Sequence, residues 1–387
     1  MRFRDALAGP GLGAIAEIKR RSPSLGEIRP DADAAVLAAA YERAGAAAVS
    51  VLVDERFGGT WDDLRAAHVA ARLPLLAKGF FSTDEHLRTA REAGADAVLL
   101  LLRDLDDDAA GLLLRVAADL GLDALVEAHD AAELARAATL GAPVIGINAR
   151  DLTTFAIDRR AQLDLVERSR SLAHAPVVVA ESGVRTRAQG AAAELAGADA
   201  ILVGSALMQA PDPAAKLQEL LSRPLVKVCG LTRQEDVDAS AAAGADLAGF
   251  ILARETPRRA PGVLDVPETM LSVAVYVGER GDDGADLVQL YAREDGHRSR
   301  EAALLRGDEQ VARVVDREWL AEGDGHFEDA RRASGRVMLA GGLGPDNVRE
   351  AIERARPWAV DASSSLETEP GVKDHARIRA YVEAARV

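Results

Sequence analysis

The stretch AGADAVLLLL at 93–102 decides how the chain folds, and similar stretches recur at 44–52 (AGAAAVSVL), 196–204 (AGADAILVG) and 243–252 (AGADLAGFIL). In each copy a glycine follows an alanine-rich, helix-like stretch, which predicts that the glycine ends the helix. The continuous apolar run after it has the length and composition of a strand buried on both faces. The repeat therefore predicts a unit of one helix followed by one strand.

Further apolar runs of strand length lie between these copies: LPLLAKGF at 73–80, DALVEAH at 123–129, PVIGIN at 143–148 and APVVVAES at 175–182. Helix-like stretches separate them by about 20 to 25 residues, which is the spacing of βα units. Counted from AIAEIK to AILVGS, the strands number eight. Eight alternating units favour a (β/α)8 barrel over an open, doubly wound sheet.

A second domain begins soon after the eighth unit. That unit ends in PDPAAKLQELLSRP at 211–224, and a new strand, LVKVCG, follows directly. We place the boundary near Arg223, with domains at 1–223 and 224–387. The second domain is shorter than the roughly 200 residues usual for this fold. We therefore expect two tandem (β/α)8 barrels, the second compacted with at least one helix missing, and room for two strands and one short helix between Val288 and Val315.

Composition narrows the possible partners and locations. The net charge of −15 disfavours a nucleic-acid partner, because phosphate neutralisation needs a basic face. The single cysteine excludes an internal disulfide and a thiolate metal cage. The N-terminal sequence MRFRDALAGPGLG lacks the apolar core of a signal peptide, and no apolar run reaches the roughly 18 residues of a membrane span. We expect a cytoplasmic protein with no membrane partner.

Polar residues stand at or just past the C-terminal ends of successive strands of the first predicted barrel, the end at which barrels carry their active sites. These residues are Glu17, Lys78, Glu127, Asn148 and Glu181. Lys19 lies two positions after Glu17, so both side chains are aimed at one side of the strand. Two ammonium groups and three carboxylates at one mouth suit acid–base chemistry on an anionic substrate.

A phosphate site is also predicted at this mouth. Ser182 and Gly183 follow the seventh strand, and Gly204 and Ser205 follow the eighth, where barrels commonly hold phosphate on backbone N–H groups. Taken alone, Ser205 is equally well a helix cap. A lone lysine or glutamate at a strand end is likewise more often a solvated or paired surface group. Chance placement explains five such residues on successive strands much less readily.

Seven motifs together cover nearly all of residues 14–210: AEIKRRSPS, SVLVDERFGG, LPLLAKGFF, LVEAH, GINARDL, VAESGV and ILVGSALM. In this order they resemble the motifs of indole-3-glycerol phosphate synthase. That family closes the indole ring of a carboxyphenylamino deoxyribulose phosphate, with loss of carbon dioxide and water.

The resemblance implies a role for each candidate residue. Lys78 is the implied general acid at the attacked carbonyl, and Glu127 the implied acid/base for dehydration. Lys19 is expected to pair with the substrate carboxylate or phosphate. Further implied substrate contacts come from Glu17, Asn148, Glu181, Ser182, Ser22, Phe80 and Arg150.

The first domain departs from this family in two places. Gly79 stands where the family usually has an aspartate, and only about 13 residues precede the first strand, where the family has a longer segment. Both departures concern substrate affinity more than chemistry.

Cys229 stands at the end of a strand in KVCGLTRQEDV at 227–237. A thiol at a barrel mouth, near a helix start and Arg233, is expected to have a lowered pKa and to act as a base. A lone thiol is more often simply buried and packed.

Five motifs follow one another along the second domain: KVCGLTR, AGFILARETPRRA, DLVQLY, MLAGGLGPDNV and DASSSLETEPGVKD. In this order they resemble the motifs of phosphoribosylanthranilate isomerase. The family's reaction is an Amadori rearrangement, which needs a base and an acid. The resemblance implies that Cys229 is the base and that Arg258 or Arg259 binds the anthranilate carboxylate. The implied phosphate-binding residues are Gly341, Gly342, Ser363 and Ser364.

Two aspartates are candidates for the acid of this rearrangement. Asp316, at the end of QVARVVD, is the better candidate, and Asp324 in GDGHFED is the alternative. Asp316 is also a plausible N-cap of a helix at 316–322. Two positions depart from the family: Tyr291 stands where the family usually has histidine, and Ser365 stands where it often has glycine.

The leading interpretation is a bifunctional enzyme in which the second barrel supplies the substrate of the first. Its expected partners are small phosphorylated anthranilate-derived substrates, with tryptophan synthase as pathway successor, and no metal or redox cofactor is expected. A competing interpretation makes the second barrel a degenerate structural or dimerising platform. A third, an unrelated phosphosugar barrel, requires paired aspartates on strands one and five, where this sequence has Glu17 and Glu127.

Overall fold

The computed structural model describes residues 2–22, 24–151, 154–254, 256–294, 297–317 and 323–386. The chain forms two compact units. One comprises Met1–Arg185 with Gly190–Leu221, and the other Thr186–Gln189 with Ser222–Val387. Each unit contains one closed eight-stranded barrel.

The strands of the first barrel are all parallel and pair in chain order, and the eighth strand pairs with the first to close the ring. They are β1 (Gly13–Ile18), β2 (Ala48–Leu52), β3 (Leu75–Lys78), β4 (Ala97–Leu101), β5 (Asp123–Ala128), β6 (Val144–Asn148), β7 (Val177–Glu181) and β8 (Ala200–Val203). The expected first barrel is confirmed.

Helices connect these strands and also precede and follow them: α1 (Phe3–Leu7), α2 (Ala34–Arg43), α3 (Trp61–Ala70), α4 (Asp84–Glu92), α5 (Asp107–Asp119), α6 (Ala131–Thr139), α7 (Arg159–Ser169), α8 (Arg187–Ala196), α9 (Ser205–Gln209) and α10 (Pro213–Leu221). Helices α2 to α7 each begin at a side-chain cap, which satisfies amide groups that the helix itself leaves free. Glycines with positive φ end several of them, including Gly45 (φ 90°) and Gly94 (φ 97°), as the repeated sequence predicts.

Where the repeated sequence reads Gly-Ala-Asp, its aspartate connects the new strand to the preceding one. The backbone N–H of Leu75 donates to Oδ2 of Asp96 at 3.0 Å, and the N–H of Asp96 donates back to the carbonyl of Leu75 at 2.9 Å. Asp199 forms the same reciprocal pair with Val178, at 2.8 and 2.9 Å. The motif therefore satisfies a strand amide at the point where the β ladder begins.

Apolar side chains fill the lower interior of the first barrel. Inward-facing residues of the strands form one cluster, and Phe3 and Leu7 of α1, both fully buried, belong to it. The backbone N–H of Arg4 donates to Asp123 Oδ2 at the start of β5. The short N-terminal helix thus packs at the end of the barrel opposite the strand C-termini.

The second barrel also closes through its first and last strands. Its strands are β9 (Leu225–Cys229), β10 (Leu247–Ile251), β11 (Leu271–Val277), β12 (Leu287–Glu294), β13 (His297–Arg306), β14 (Glu309–Val315), β15 (Val337–Leu339) and β16 (Ala359–Ala362). Its helices are α11 (Gln234–Ala242), α12 (His326–Arg332), α13 (Val348–Ala355) and α14 (His375–Ala385). A compacted second barrel with missing helices is therefore confirmed.

The expected short helix between Val288 and Val315 is wrong. The described part of that segment is an antiparallel meander, in which β13 pairs with β12 on one side and with β14 on the other. Two residues separate each pair of strands, whereas a parallel return needs about a dozen. The chain must therefore reverse, and it does so at Gly307 (φ 57°) and Asp308 between β13 and β14.

No helix within the described ranges is both long enough and apolar enough to cross a membrane.

We expect Asp96→Ala to lower the free energy of unfolding by about 1 to 3 kcal/mol, because it leaves the buried amide of Leu75 without its acceptor. Asp96→Asn is the matched control, since its side-chain oxygen can still accept that hydrogen bond. Urea unfolding of both variants measures the difference. Equal losses in the two variants would contradict this account of the motif.

Candidate active sites

A cavity opens at the C-terminal ends of the strands of the first barrel. The predicted site residues that line it are Glu17, Lys19, Lys78, Phe80, Glu127, Asn148, Arg150, Ser182, Gly183, Gly204 and Ser205. Two predicted residues lie outside this lining. Glu181 is buried beneath it, and Ser22 lies in a short hairpin, where its Oγ accepts from the N–H of Leu25 at 3.2 Å.

Lys78 is the central cation of this cavity. Its Nζ donates to Glu181 Oε2 at 2.8 Å and lies 3.3 Å from Glu17 Oε2. The other oxygen of Glu17 lies 2.8 Å from Lys19 Nζ, so the strand spacing does bring these two side chains together. Burial lowers the pKa of Lys78, but the neighbouring carboxylates outweigh it and raise that pKa above its ordinary value. Lys78 is therefore positively charged at neutral pH.

The carboxylate of Glu17 is held ionised by the same arrangement. Burial raises its pKa, yet Lys19 and Lys78 lower it to about 2. Glu181 differs, because burial and the nearby Glu127 carboxylate raise its pKa above the ordinary range against the effect of Lys78. Glu17 and Glu181 thus contact Lys78 from two sides, and the pKa of Glu181 is the higher of the two.

Two side chains contact the carboxyl group of Glu127: Asn148, which was predicted as a site residue, and His129, which was not. Glu127 Oε1 accepts from Asn148 Nδ2 at 3.0 Å and lies 3.1 Å from His129 Nε2. His129 Nδ1 lies 3.0 Å from Glu133 Oε2, so the imidazole stands between two carboxylates. Burial lowers the pKa of His129, but Glu127 and Glu133 raise it to about 9. The signal for His129 was present, since it follows Glu127 at the spacing of Glu17 and Lys19.

The proposed phosphate side of the cavity is made of tight turns. Ser182 (φ 67°) and Gly183 (φ 76°) both adopt the left-handed conformation after β7. A β-carbon on Gly204 would lie 2.3 Å from Glu17 Oε1 and 3.0 Å from Lys19 Nζ. Glycine at 204 is therefore what lets this turn approach the charged pair.

Aromatic side chains form the opposite wall. The rings of Phe57 and Phe80 stack with their centroids 6.3 Å apart and 19° between their planes, and the Arg56 guanidinium lies 3.8 Å from the centre of the Phe80 ring. Phe57 was not predicted as a site residue. This wall offers a flat apolar surface to an aromatic ring of a ligand.

A second cavity lies at the mouth of the second barrel. The predicted residues that line it are Cys229, Arg258, Asp316, Gly341, Gly342, Ser363 and Ser364. Its lining also includes Arg254, Arg293, Arg298 and Arg317, and Asp361 is the carboxylate there besides Asp316. The described lining is thus rich in cations, although the whole chain is acidic.

The expected environment of Cys229 is wrong. The thiol is 5% exposed, and burial raises its pKa. Arg233 pairs with Asp236 at 2.7 Å, and the cation beside the thiol is Lys227, whose Nζ lies 3.4 Å from Sγ. Lys227 lies two residues before Cys229 on β9, so its charge in an apolar strand was the overlooked signal.

Lys227 anchors a buried chain of hydrogen bonds that ends at Asp316. Its Nζ donates to Asp361 Oδ2 at 2.9 Å and to Gln289 Oε1 at 2.6 Å. Gln289 Nε2 donates to the hydroxyl of Tyr291 at 2.7 Å, and that hydroxyl donates to Asp316 Oδ2 at 2.8 Å. Cys229 and Asp316 therefore share one cavity and one polar network.

The structure separates the two candidate acids. Asp316 is buried in the cavity wall, and burial raises its pKa above the ordinary value. Asp324 is exposed and ion-pairs with Arg354. Helix α12 contacts the mouth through His326 Nε2, 3.1 Å from the Gly341 carbonyl, but no residue of 323–329 lines the cavity. The proposed cap of a helix at 316–322 concerns residues that lie mostly outside the described ranges.

The two candidate arginines also differ. Arg258 lines the cavity while its Nε donates to both oxygens of Glu367, at 3.1 and 2.8 Å. Arg259 is exposed and is not among the residues that line the cavity, and its backbone bridges to Ile251.

The predicted phosphate turn contains Gly341 (φ 90°) and Gly342 (φ 72°). Opposite them, Ser363 Oγ is buried and makes no hydrogen bond to any described residue. Ser365, which stands where the family often has glycine, donates its Oγ hydroxyl to the Leu343 carbonyl and thus contacts the residue that follows Gly342.

Two closed barrels, each with ionisable groups and glycine turns gathered at one mouth, define a tandem TIM-barrel enzyme. The family model of indole-3-glycerol phosphate synthase matches residues 1–220, and that of N-(5'phosphoribosyl)anthranilate isomerase matches residues 325–384. The chain belongs to the indole-3-glycerol phosphate synthase family and, over its whole length, to the TrpCF tryptophan biosynthesis proteins.

Individual relatives cover the chain to different extents. The tryptophan biosynthesis protein TrpCF of Yersinia pestis is 36% identical, over 100% of this chain and 87% of that protein. Indole-3-glycerol phosphate synthase of Mycobacterium ulcerans is 45% identical, over 56% of this chain and 79% of that protein. Among solved structures, TrpF from Jonesia denitrificans is 28% identical, over 42% of this chain and 97% of that chain, with a TM-score of 0.34.

We expect Gly146→Ala to lower the rate of the family's ring closure by about tenfold or more. A β-carbon there would lie 2.0 Å from Glu181 Oε1, so Glu181 must move and release Lys78. Gly111→Ala in α5 is the matched control, because its β-carbon meets only ordinary contacts of 3.5 Å or more. Steady-state rates of both variants test this. An unchanged rate in Gly146→Ala would show that the position of Glu181 does not matter.

Proposed function

We propose that the chain catalyses two successive steps of tryptophan biosynthesis. The second barrel isomerises N-(5-phosphoribosyl)anthranilate to 1-(2-carboxyphenylamino)-1-deoxyribulose 5-phosphate. The first barrel closes that product to indole-3-glycerol phosphate, with loss of carbon dioxide and water. We assign the synthase to residues 1–223 and the isomerase to residues 224–387.

The observation that carries the synthase assignment is the position of the Lys78 side chain between the carboxyl groups of Glu17 and Glu181, in a cavity that Glu127 also lines. In ring closure Lys78 gives its proton to the carbonyl oxygen as the aromatic carbon attacks the carbonyl carbon. Loss of carbon dioxide then restores the aromatic ring, and Glu127 serves as acid/base while water leaves. Contacts among these side chains at the barrel mouth hold the reacting groups in place before the substrate arrives.

Substrate orientation follows from the two walls of this cavity. Phe57 and Phe80 face the anthranilate ring, whereas the turns at Ser182 and Gly204 take the phosphate. Lys19, beside Gly204, neutralises the phosphate or the carboxylate. Arg150 borders the same opening, where its Nη1 donates to Ser24 Oγ at 3.3 Å.

The isomerase assignment rests on Cys229 and Asp316 in one cationic cavity. Asp316 gives its proton to the ribose ring oxygen as the ring opens, and Cys229 takes the proton from the adjacent carbon. A substrate with one carboxylate and one phosphate suits a lining with several arginines. Arg258 is the candidate for the carboxylate, and the turn at Gly341 and Gly342 for the phosphate.

One coupled assay of the full chain tests both assignments. Phosphoribosylanthranilate is supplied alone, and indole-3-glycerol phosphate is followed by its fluorescence. Both activities together convert the first compound into the last. If only the carboxyphenylamino intermediate is converted when supplied directly, the second barrel has no isomerase activity.

We predict that Lys78→Ala lowers the synthase rate by at least about a hundredfold, as expected for a removed general acid. Lys216→Ala is the matched control, because Lys216 pairs with Glu219 on α10, outside the cavity. The rate is measured with the carboxyphenylamino substrate at saturation. A loss below about fivefold would mean that Lys19 or water supplies the proton.

We predict that Cys229→Ser abolishes isomerase turnover, with a loss of at least about a hundredfold, because a serine hydroxyl is a far weaker acid than a thiol and does not form the anionic base. The synthase rate of the same protein is the internal control and stays unchanged. Retained isomerase turnover would remove Cys229 from the mechanism.

A further inference from the structure

The reversed strand β13 brings its first residues, rather than its last, to the mouth of the second barrel. Arg298 pairs in the sheet with Arg293 near the end of β12 and lines the cavity. Its Nη2 lies 3.0 Å from Asp316 Oδ1, just past the end of β14. A parallel fifth strand of the usual kind would place its first residues at the opposite end of the barrel.

The two oxygens of Asp316 have different surroundings. Oδ2 accepts from the hydroxyl of Tyr291 at 2.8 Å. Oδ1 is buried, makes no hydrogen bond of good geometry to a described residue, and has the Arg298 guanidinium beside it. That guanidinium also lies 5.1 Å from the centre of the Tyr291 ring, so it contacts both groups. Arg298 is only 22% exposed in this position.

We propose that Arg298 is a positioning residue of the isomerase, which stabilises the Asp316 carboxylate formed when Asp316 protonates the substrate. This inference rests on the proposed function, in which Asp316 is the acid. In that step the O–H bond of Asp316 breaks and its proton passes to the ribose ring oxygen. The ring C–O bond breaks, and the lone pair of the anilino nitrogen forms a C=N bond.

The negative charge left on Asp316 appears in a buried place, where it is costly unless a cation is already there. Arg298 meets that requirement without moving, which is the condition for electrostatic stabilisation of a developing charge. Tyr291 adds one hydrogen bond to the other oxygen. Together they fix the orientation of the carboxyl group and receive the charge that it acquires.

The charged and titratable groups that face Asp316 are Arg298 on β13, Tyr291 on β12, Asp361 on β16, and His326 and Arg317 near the turn. Burial raises the pKa of Asp316 most strongly, Arg298 and Tyr291 lower it, and Asp361 raises it. Removal of Arg298 therefore raises this pKa further. Cys229 has Lys227, Asp361 and Lys373 as its main charged neighbours, so its pKa does not depend on Arg298 in the same way.

We expect Arg298→Met to lower isomerase kcat by about 10- to 100-fold, while KM changes by less than about threefold. The expected loss is smaller than the roughly 100- to 1000-fold of a group that contacts the reacting atoms, because Arg298 acts through Asp316. The limb of the kcat pH profile that Asp316 sets moves to higher pH, and the limb that Cys229 sets stays. Arg298→Lys keeps a cation and restores most of kcat and the original limb. Arg300→Met is the matched control, because Arg300 lies on the same strand but pairs with Asp329 outside the cavity.

The full chain is used throughout, and the retained KM in Arg298→Met reports that the second barrel has folded. Unchanged kcat and pH limbs, a limb that moves to lower pH, or an Arg298→Lys variant as impaired as Arg298→Met would each overturn the inference. Asp316→Asn separates this failure from that of the proposed function. If Asp316→Asn stays active, Asp316 is not the acid; if it is inactive while Arg298→Met is normal, only the role of Arg298 is wrong.

Discussion

Closure of eight strands into a ring is the constraint on which both sites depend, because it turns every second side chain of each strand toward one interior. In the first barrel the apolar Ile15 is followed inward by Glu17, and Leu76 is followed by Lys78. Apolar residues fill the lower layers, and the next inward positions fall at the open mouth. The polar groups therefore meet because of the strand period and the closure of the ring, without any special loop conformation.

Charges brought inside a barrel must be compensated, and each barrel does this around one lysine. Lys78 lies between Glu17 and Glu181, and its side chain remains 15% exposed at the cavity. Lys227 pairs with Asp361 and is completely buried. The pairing of a lysine with buried carboxyl groups thus has a different role in each barrel. Lys78 can reach a substrate directly, whereas Lys227 acts on its neighbours in the wall.

The Gly-Ala repeat and the eight continuous apolar runs were sufficient to predict the first barrel and the strand ends that carry Lys78 and Glu127. They failed where the outcome depends on burial or chain direction. Sequence position suggested a lowered pKa for Cys229, but the depth of the thiol raises it. The contact of Arg298 with Asp316 was invisible because it requires a reversed strand, which a search for βα units does not consider.

The reversal nevertheless leaves a trace in the sequence. Parallel strands that are covered by helices are apolar without interruption, whereas strands of a sheet with one solvent-exposed face alternate between apolar and polar residues. Strand β14 alternates in this way: Ala312 and Val314 are buried, and Arg313 between them is exposed near Glu301. The two-residue turn at Gly307 and Asp308 and this alternation together indicate antiparallel strands without a covering helix. The reversed strand β13 therefore leaves no room for a helix on either side of it and also brings a guanidinium to the isomerase mouth, so part of the compaction and the position of Arg298 have a single cause.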